Sequence, residues 1–205
     1  MNREDVLKIL RNELKYSENS LRTLISFHED LLNYNNKYNL ISKTTEKDAW
    51  QRHILDSAQL VKYIEFKKSG SLSDLGTGGG FPGIVLAIFN ENINFHVKLY
   101  EKSRVKCIFL KNLVKKLNIK AQILEGSYIE HEINSNYIIC RAFKKLPQIL
   151  KISREIAKRP HKLIILKGKN AQDEINKAIM ISKFKYKLEK SITDKESKIV
   201  LLNVK

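Results

Sequence analysis

The chain has 205 residues, of which 42% are hydrophobic, so it is long enough to bury a sizeable core. Three prolines, eight glycines and the lack of any apolar run of about 20 residues argue against long disordered stretches and a membrane span. The 38 Lys and Arg residues against 22 Asp and Glu give a net charge of +16, which favours a polyanionic partner such as a nucleic acid. A/T-rich codon usage or a need for solubility would also explain a basic chain.

The N-terminus and the cysteines indicate where the protein works. The first residues open directly into a helical pattern, so we expect no signal peptide. Cys107 and Cys140 lie in apolar runs and lack the spacing of metal ligands. A reducing, cytoplasmic setting and no metal site are therefore expected.

Helical periodicity dominates the first third of the chain. Apolar residues recur at helical spacing over residues 3–15 and 20–38, and a further helix is predicted from Thr45 to about Tyr63. We therefore expect a helical cap over residues 1–66, packed on a second domain over residues 67–205.

From residue 71 strands alternate with helices, a rhythm typical of a parallel α/β sheet. Five strands are predicted at residues 71–75, 95–101, 121–124, 137–142 and 162–167. The helices are predicted at residues 84–89, 103–117, 146–157 and 171–182. Two late strands, at about 184–190 and 197–204, predict an antiparallel C-terminal hairpin that completes a mostly parallel, seven-stranded, Rossmann-like sheet.

The first strand runs into a stretch that contains five of the eight glycines, from Gly76 to Gly83, which we call the glycine loop. Glycine permits positive φ and the close approach of a ligand. Pro82 can begin a helix, because proline lacks an N–H and the N–H groups of the first helical turn have no partner within the helix. Strand, loop and helix therefore predict a cradle for a nucleotide-like ligand.

Two cofactors fit this cradle. A Gly-x-Gly-x-x-Gly pattern that begins at Gly78, with Glu101 further on, fits a dinucleotide site. An Asp-x-Gly-x-Gly-x-Gly pattern that begins at Asp74 fits the loop of methyltransferases that use S-adenosylmethionine (SAM). In that case Asp74 serves the methionine end and Glu101 accepts hydrogen bonds from the ribose hydroxyls. A glycine-rich turn without a ligand is the third possibility.

Ligands of an open parallel sheet bind outside the carboxyl ends of its strands, so the strand ends supply the candidate site. Those residues are Asp74 to Phe81, Glu101, Gly126 to Ile129, Arg141 and Lys167. Ordinary ion pairs at Glu101 and Arg141, loop packing at Tyr128 and Ile129, or a solvated Lys167 are the structural alternatives. The sequence has no Ser-His-Asp order, Cys-His pair, His-Glu-x-x-His motif or P-loop lysine, so hydrolase and kinase mechanisms have no residues to rest on.

Five pieces of the sequence resemble, in order, the bacterial family of small-subunit ribosomal RNA methyltransferase G, also called the glucose-inhibited division protein B family. They are Tyr38–Ser42, Arg52–Ser57, Asp74–Ile84, Arg141–Phe143 and Leu166–Gly168. The Arg-His-Ile-Leu-Asp-Ser piece is the most specific, since generic methyltransferases lack it. Two positions depart from the family pattern, with Cys140 in place of the usual Ser and Asn136 in place of a common Asp.

The resemblance implies a class I SAM-dependent methyltransferase fold, SAM as the cofactor, and methylation of N7 of a guanine in the 530 loop of 16S rRNA. It implies that Arg141 reaches the cofactor or the target base, which makes it the candidate catalytic residue. The candidate cofactor-binding residues are Asp74, Gly76, Gly78, Phe81, Glu101, Tyr128, Ile129 and Arg141. Among them, Tyr128 and Ile129 are expected to flank the adenine.

Methylation at guanine N7 agrees with the lack of a general-base motif in the sequence. Guanine N7 carries a free lone pair and no proton, so its attack on a methyl group needs no general base. Holding two reactants in line can supply on the order of 7–11 kcal/mol, so we expect catalysis by positioning in a neutral or acidic pocket. The expected partner is 16S rRNA or the small ribosomal subunit, bound by a monomer. The candidate RNA contacts are Arg52, His53, Lys144, Lys145 and Lys167.

Three other functions compete with this one. A SAM methyltransferase for a small molecule or a protein leaves the charge and the Arg52–Ser57 piece unexplained. A non-catalytic rRNA-binding assembly factor would carry a cradle that no longer binds SAM. An NAD-dependent oxidoreductase lacks a residue to handle the hydride and its proton.

Overall fold

The computed structural model describes residues 1–181 and 183–204. Helical segments precede the sheet. They are α1 (Arg3–Asn12), α2 (Glu18–Tyr38), α3 (Lys43–Glu46), a π-helix (Trp50–Leu55), α4 (Asp56–Ala58) and a 3₁₀-helix (Gln59–Tyr63). None of the helices in the described ranges is both long and apolar enough to cross a membrane.

The remainder alternates strands and helices as predicted. The strands are β1 (Gly70–Leu75), β2 (Phe95–Glu101), β3 (Ala121–Glu125), β4 (Tyr137–Arg141), β5 (His161–Lys167), β6 (Tyr186–Lys190) and β7 (Lys198–Val204). The helices are α5 (Gly83–Phe89), α6 (Arg104–Lys116), a 3₁₀-helix (Tyr128–Glu130), α7 (Leu146–Ile156) and α8 (Ala171–Ile181). The predicted end of the last helix at residue 182 lies outside the described residues.

The seven strands form one sheet in the order β3-β2-β1-β4-β5-β7-β6. The first five are parallel to one another, and β7 lies antiparallel between β5 and β6. From β1 the chain continues to β2 and β3 on one side of the sheet, and it then continues with β4 and β5 on the other side. The carboxyl end of β1 is therefore the switch point where ligands bind in open sheets. The expected mostly parallel sheet with a C-terminal hairpin is confirmed.

Local sequence explains where the long helices start and stop. The side chains of Asn2 and Ser17 accept hydrogen bonds from the first free amides of α1 and α2, as N-cap residues do. Asn39 ends α2 in the left-handed conformation with φ of 48°, which asparagine tolerates better than most residues. Pro82 precedes the first residue of α5 and does not interrupt its hydrogen bonds.

The predicted single helix from Thr45 to Tyr63 is wrong. The chain forms α3, a turn, the π-helix, α4 and the 3₁₀-helix in its place. The amide of Asp56 bonds to the carbonyls of Gln51 and His53, so the turn is wider than that of an α-helix. The side chain of Arg141, at the end of β4, donates to the carbonyl of Arg52 that this wider turn leaves free.

Alternate residues of the central strands pack on opposite faces of the sheet. On β4, Ile139 belongs to one hydrophobic cluster, whereas Ile138 and Cys140 belong to the other. The first cluster also contains Leu24 and Phe27 of α2, so the N-terminal helices share a core with the sheet. We therefore propose that residues 1–66 act as a cap on the rest of the chain rather than folding alone.

Candidate active site

The glycine loop follows β1, and its glycines differ in how much space a side chain would find. Gly76 has φ of 71°, and a Cβ atom there would lie 2.7 Å from Cδ2 of Phe143. Gly78 has φ of 60°, and the nearest atom to a Cβ there is the carbonyl oxygen of Gly76 at 4.0 Å. Gly76 therefore packs against a side chain, whereas the space beside Gly78 is open.

Asp74 lies fully buried beneath this loop. Its Oδ2 accepts a hydrogen bond of 2.8 Å from the amide of Gly83. Its Oδ1 and the hydroxyl of Thr77 are buried, and neither meets hydrogen-bond geometry with another described residue. Burial raises the pKa of Asp74 to about 7, although the nearby Thr77 hydroxyl and the Gly83 amide favour the ionised form. An unpaired acceptor in this position suits a donor group of a ligand.

Glu101 ends β2 and is anchored by backbone amides. Oε2 accepts from the amide of Gly78 at 2.9 Å, and Oε1 accepts from the amide of Ser103 at 2.8 Å. Each carboxylate oxygen has a second acceptor position, so ribose hydroxyls can still donate to it. In the described part of the chain Glu101 has no lysine partner, so the alternative of a simple ion pair is wrong.

Tyr128 and Ile129 occupy the 3₁₀-helix that follows β3. The ring of Tyr128 meets the ring of Phe143 edge-on with 5.2 Å between centroids, while Ile129 is 70% exposed. Phe143 therefore contacts both this turn and the region of Gly76. Ile129 is therefore an exposed apolar side chain, and its role at the adenine stays a prediction.

Arg141, the last residue of β4, joins the sheet to the cap. Its guanidinium donates to the carbonyl of Arg52 and approaches Nδ1 of His53, both at 2.8 Å, and lies 3.7 Å from Oδ2 of Asp56. In an α-helix the amide of Asp56 would bond to the carbonyl of Arg52. The π-helix redirects that amide, and Arg141 takes the free carbonyl. Arg141 thus lies at the predicted strand end and makes the ion pair considered as the alternative, and its contact with a cofactor or base stays a prediction.

Phe81 of the glycine loop is the centre of an aromatic contact between loop and cap. The Arg141 guanidinium lies over its ring at 5.1 Å, and the His53 ring centroid is 5.2 Å away. On the cap, Phe27 of α2 lies 5.3 Å from it. Because Phe81 is nearly buried, it forms a wall shared by the loop and the cap.

His53 lies in the site as a neutral ring. Arginine can only donate, so Nδ1 accepts from Arg141, and Nε2 carries the proton that it donates to the Thr45 hydroxyl at 2.8 Å. Burial, followed by the charges of Arg141 and Arg52, lowers the pKa of His53 to about 3. Both nitrogens are therefore engaged, and the ring has no proton to offer a phosphate.

The other expected RNA contacts divide into two groups. Arg52, Lys144 and Lys145 are exposed. Lys167 is nearly enclosed, with its side chain 11% exposed and its Nζ 2.7 Å from Glu174. The solvated strand end considered for Lys167 is therefore wrong, and the exposed cations are the better candidates for phosphate contacts.

A cavity of about 670 Å³ opens at the carboxyl ends of β4 and β5, and we call it the strand-end cavity. Its volume is within the range of ligand sites. Its lining residues come from the cap, the strand ends, α8 and the β6–β7 turn. They are Thr45, Asp48, Gln51, Arg52, His53, Asp56, Arg141, Ala142, Leu166, Lys167, Gly168, Glu174, Thr193, Asp194 and Ser197.

Asp56, Glu174 and Thr193 line this site and were not predicted as site residues. Asp56 accepts hydrogen bonds from Gln59, Ser191 and Thr193, and so ties the β6–β7 turn to the cap. The spacing of three residues between His53 and Asp56 could have indicated a shared helical face. No sequence signal pointed to Glu174 or Thr193.

The two departures from the family pattern are structural. The side-chain oxygen of Asn136 accepts from the amide of Ser71 at 2.9 Å and so holds the start of β1. A neutral amide satisfies that contact. Cys140 is fully buried in the core, and burial raises the pKa of its thiol.

Solved structures share this architecture. A SAM-dependent methyltransferase from Aquifex aeolicus superposes with a TM-score of 0.59 over 78% of this chain and 94% of that one, at 13% identity. The O-methyltransferase from Bacillus cereus in complex with SAH superposes with a TM-score of 0.58 over 98% of this chain and 97% of that one, at 12% identity. The fold is therefore that of the class I SAM-dependent methyltransferases.

The sequence comparisons identify the family. The model of the rRNA small subunit methyltransferase G family matches residues 20–201. The ribosomal RNA small subunit methyltransferase G of Rickettsia typhi is 42% identical over 170 residues, which are 83% of this chain and 86% of that protein. The protein of the same name from Orientia tsutsugamushi is 33% identical over 98% of this chain and 99% of its own. The chain belongs to the rRNA small subunit methyltransferase G family.

Proposed function

We propose that this chain transfers a methyl group from SAM to N7 of a guanine in the 530 loop of 16S rRNA. The observation that carries the proposal is the position of Arg141. It lies over Phe81 of the glycine loop and also lines the strand-end cavity. A cofactor in the loop and a base in the cavity would therefore meet at one side chain.

The residues of the loop fit SAM. We propose that the unpaired Oδ1 of Asp74 serves the amino group of the methionine end, that the opening at Gly78 admits the cofactor, and that Glu101 holds the ribose. Tyr128 and Ile129 would flank the adenine. When bound, SAM supplies an electrophilic methyl group on a positively charged sulfur.

The chain then has to position the target base rather than activate it. Guanine N7 has a lone pair and no proton, so no general base is required. His53 agrees with this mechanism, because its engaged nitrogens keep it from acting as a base toward a substrate. We propose that Arg141 is the side chain that contacts both ligands, and that orientation supplies on the order of 7–11 kcal/mol.

A base can reach the cavity only if it leaves its stack. A cavity of about 670 Å³ has room for one nucleotide, so we propose that a guanine in a loop or a partly unfolded rRNA enters it. The exposed Arg52, Lys144 and Lys145 would hold the flanking phosphates. Since one chain supplies both the cradle and the cavity, we propose that the protein works as a monomer. Because N7 needs no Lewis acid, we propose that no metal takes part. A ribosomal RNA substrate also leads us to propose that the protein works in the cytoplasm.

The test is direct. The protein is incubated with SAM and with under-methylated 16S rRNA, assembling particles or small subunits, and 7-methylguanosine is mapped by mass spectrometry. We expect one modified guanine in the 530 loop. If none of these substrates gains 7-methylguanosine, the proposal is wrong. Binding of RNA without binding of labelled SAM would favour a non-catalytic assembly factor.

A further inference from the structure

Two partly buried cations line the strand-end cavity, and each has one carboxylate beside it. Arg141 lies 3.7 Å from Asp56, with the two side chains 17% and 15% exposed. Lys167 lies 2.7 Å from Glu174, with the two side chains 11% and 21% exposed. The pairs come from different elements, since Asp56 belongs to the cap and Glu174 to α8. The partly buried part of the wall therefore carries two positive and two negative charges, while Arg52, Asp48 and Asp194 line the cavity from exposed positions.

These carboxylates are fixed rather than mobile. Asp56 accepts from Gln59 at 2.9 Å, from Thr193 at 3.0 Å and from Ser191 at 3.3 Å. Oε2 of Glu174 also accepts from the amide of Leu146 at 2.6 Å. Hydrogen-bonded carboxylates in a partly enclosed site act on a neighbouring charge more strongly than solvated ones do.

The proposed reaction explains why this balance matters. The lone pair of guanine N7 forms the new N–C bond, the electrons of the broken C–S bond stay with sulfur, and the positive charge moves from the cofactor to the base. No proton is transferred. The base enters the cavity neutral and becomes a cation there, so an unpaired arginine or lysine in the wall would repel the transition state and the product but not the entering base.

Resting on the proposed function, we infer that Asp56 and Glu174 are charge-balancing residues that keep the strand-end cavity neutral for a base that becomes cationic. Each carboxylate offsets the charge of its partner, Arg141 or Lys167, and takes no part in bond making or breaking. The exposed Arg52 is outside this constraint, because in the proposed function it contacts a phosphate both before and after methyl transfer.

The test compares three variants that each remove one negative charge. Asp56→Asn and Glu174→Gln each leave a cation in the cavity without its partner. Asp30→Asn is the matched control, because Asp30 is a nearly buried carboxylate that pairs with Lys116 at 2.6 Å, between α2 and α6, and does not line the cavity. Net charge rises by the same amount in all three, so a general attraction for RNA cancels.

We expect kcat to fall by about tenfold or more in Asp56→Asn and Glu174→Gln. RNA affinity should stay within about twofold or become tighter, because the ground-state base is neutral and RNA is a polyanion. Methylated RNA should bind these variants more weakly, relative to unmethylated RNA, than it binds the wild-type protein. Asp30→Asn should match the wild-type protein in kcat, in RNA affinity and in the ratio of the two RNA affinities.

A structural role would instead lower thermal stability and weaken RNA binding without changing the ratio of the two RNA affinities. Because Asp56 also ties the β6–β7 turn, Glu174→Gln carries the test if Asp56→Asn does not fold. Adding Lys167→Met to Glu174→Gln restores the balance and should recover much of the missing rate. Equal kcat values in all variants would overturn the inference alone, whereas a wild-type protein that makes no 7-methylguanosine would overturn the proposed function.

Discussion

The guanidinium of Arg141 lies 5.1 Å from the centre of the Phe81 ring. One residue ends the central strand β4, and the other belongs to the glycine loop that follows β1. The same guanidinium holds the carbonyl of Arg52 in the cap. The glycine loop, the sheet and the cap therefore meet at this contact. A substitution in any one of them should change the packing of the other two.

Phe81→Leu should lower the free energy of unfolding by about 1–3 kcal/mol, because it removes ring contacts in a buried position. It should also weaken SAM binding, since the loop no longer packs against Arg141. Urea unfolding and calorimetric titration with SAM measure the two effects. Phe89→Leu, at the end of α5, is the control for losing an aromatic ring away from the loop. Equal SAM affinities in the two variants would contradict this role of Phe81.

Gly78→Ala should separate binding from folding. The added Cβ meets no atom closer than 4.0 Å, so the cost is the left-handed backbone, about 1–2 kcal/mol. The methyl group would nevertheless stand in the cradle, and SAM affinity should fall by about tenfold or more. Gly76→Ala should destabilise the protein more, because its Cβ would lie 2.7 Å from Phe143. If Gly78→Ala binds SAM as tightly as the wild-type protein, the ligand does not lie against that glycine.

The buried carboxyl of Asp74 should make stability depend on pH. Its pKa is raised from 3.8 to about 7, so the folded protein holds the proton more tightly than the unfolded chain does. The contribution to stability is fully present below about pH 4 and is lost as the pH rises to about 7, and it amounts to at most about 4 kcal/mol. Urea unfolding across this range should show the trend for the wild-type protein and a smaller one for Asp74→Asn.

The same carboxyl should make cofactor binding depend on pH in the opposite sense. A cationic amino group binds the ionised form of Asp74 better, so SAM affinity should increase as the pH rises through about 7. Asp74→Asn should bind SAM more weakly and without this pH dependence. Identical pH profiles for the two proteins would show that Asp74 does not contact the charged end of the cofactor.

His53 should remain uncharged across the physiological range. Its pKa is lowered from 6.5 to about 3, mainly by burial, so its ring resonances in an NMR titration should not move between about pH 5 and pH 8. Because the folded pKa is depressed, the associated stability is present above about pH 6.5 and is lost as the pH falls toward 3. In the unfolded protein the same ring should titrate near 6.5. A ring that titrates near 6.5 in the folded protein would contradict the hydrogen bonds to Thr45 and Arg141.

The exposed lysines after β4 should account for part of the salt dependence of RNA binding. Replacing Lys144 and Lys145 with alanine should reduce the slope of log K against log salt by about 0.7 for each phosphate that is no longer neutralised. Lys120→Ala is the control, since Lys120 precedes the amino end of β3, whereas Lys144 and Lys145 follow the carboxyl end of β4. Filter binding between about 50 and 200 mM salt measures the slopes. The same slope for all proteins would exclude the two lysines from the RNA interface.

Local patterns were enough to predict the sheet and the cradle. The bounds of β2 agree with the prediction at both ends, since an alternating strand carries its own signal. Asp74 and Glu101 lie where strand ends must meet in a parallel sheet. These features depend on residues close in sequence or on a general rule of topology.

The environment of the cavity could not be predicted in this way. The bond from Arg141 to the carbonyl of Arg52 spans 89 residues, and the bond from Ser191 to Asp56 spans 135. Such contacts decided that His53 is neutral and that Lys167 is paired. Amino-acid composition and the periodicity of apolar residues contain no information about which distant side chains will share a pocket.

The π-helix has a consequence for the length of the cap. Its hydrogen bonds enclose one residue more than those of an α-helix, so Trp50–Leu55 is equivalent to an insertion of one residue. Deleting one residue there would restore α-helical bonding and leave the residues on either side in nearly their present orientation, because the wide turn already absorbs the extra residue. The amide of Asp56 would then bond to the carbonyl four residues before it, and Arg141 would lose the free carbonyl to which it now donates at 2.8 Å. This segment should therefore accept substitutions more readily than a change in its length.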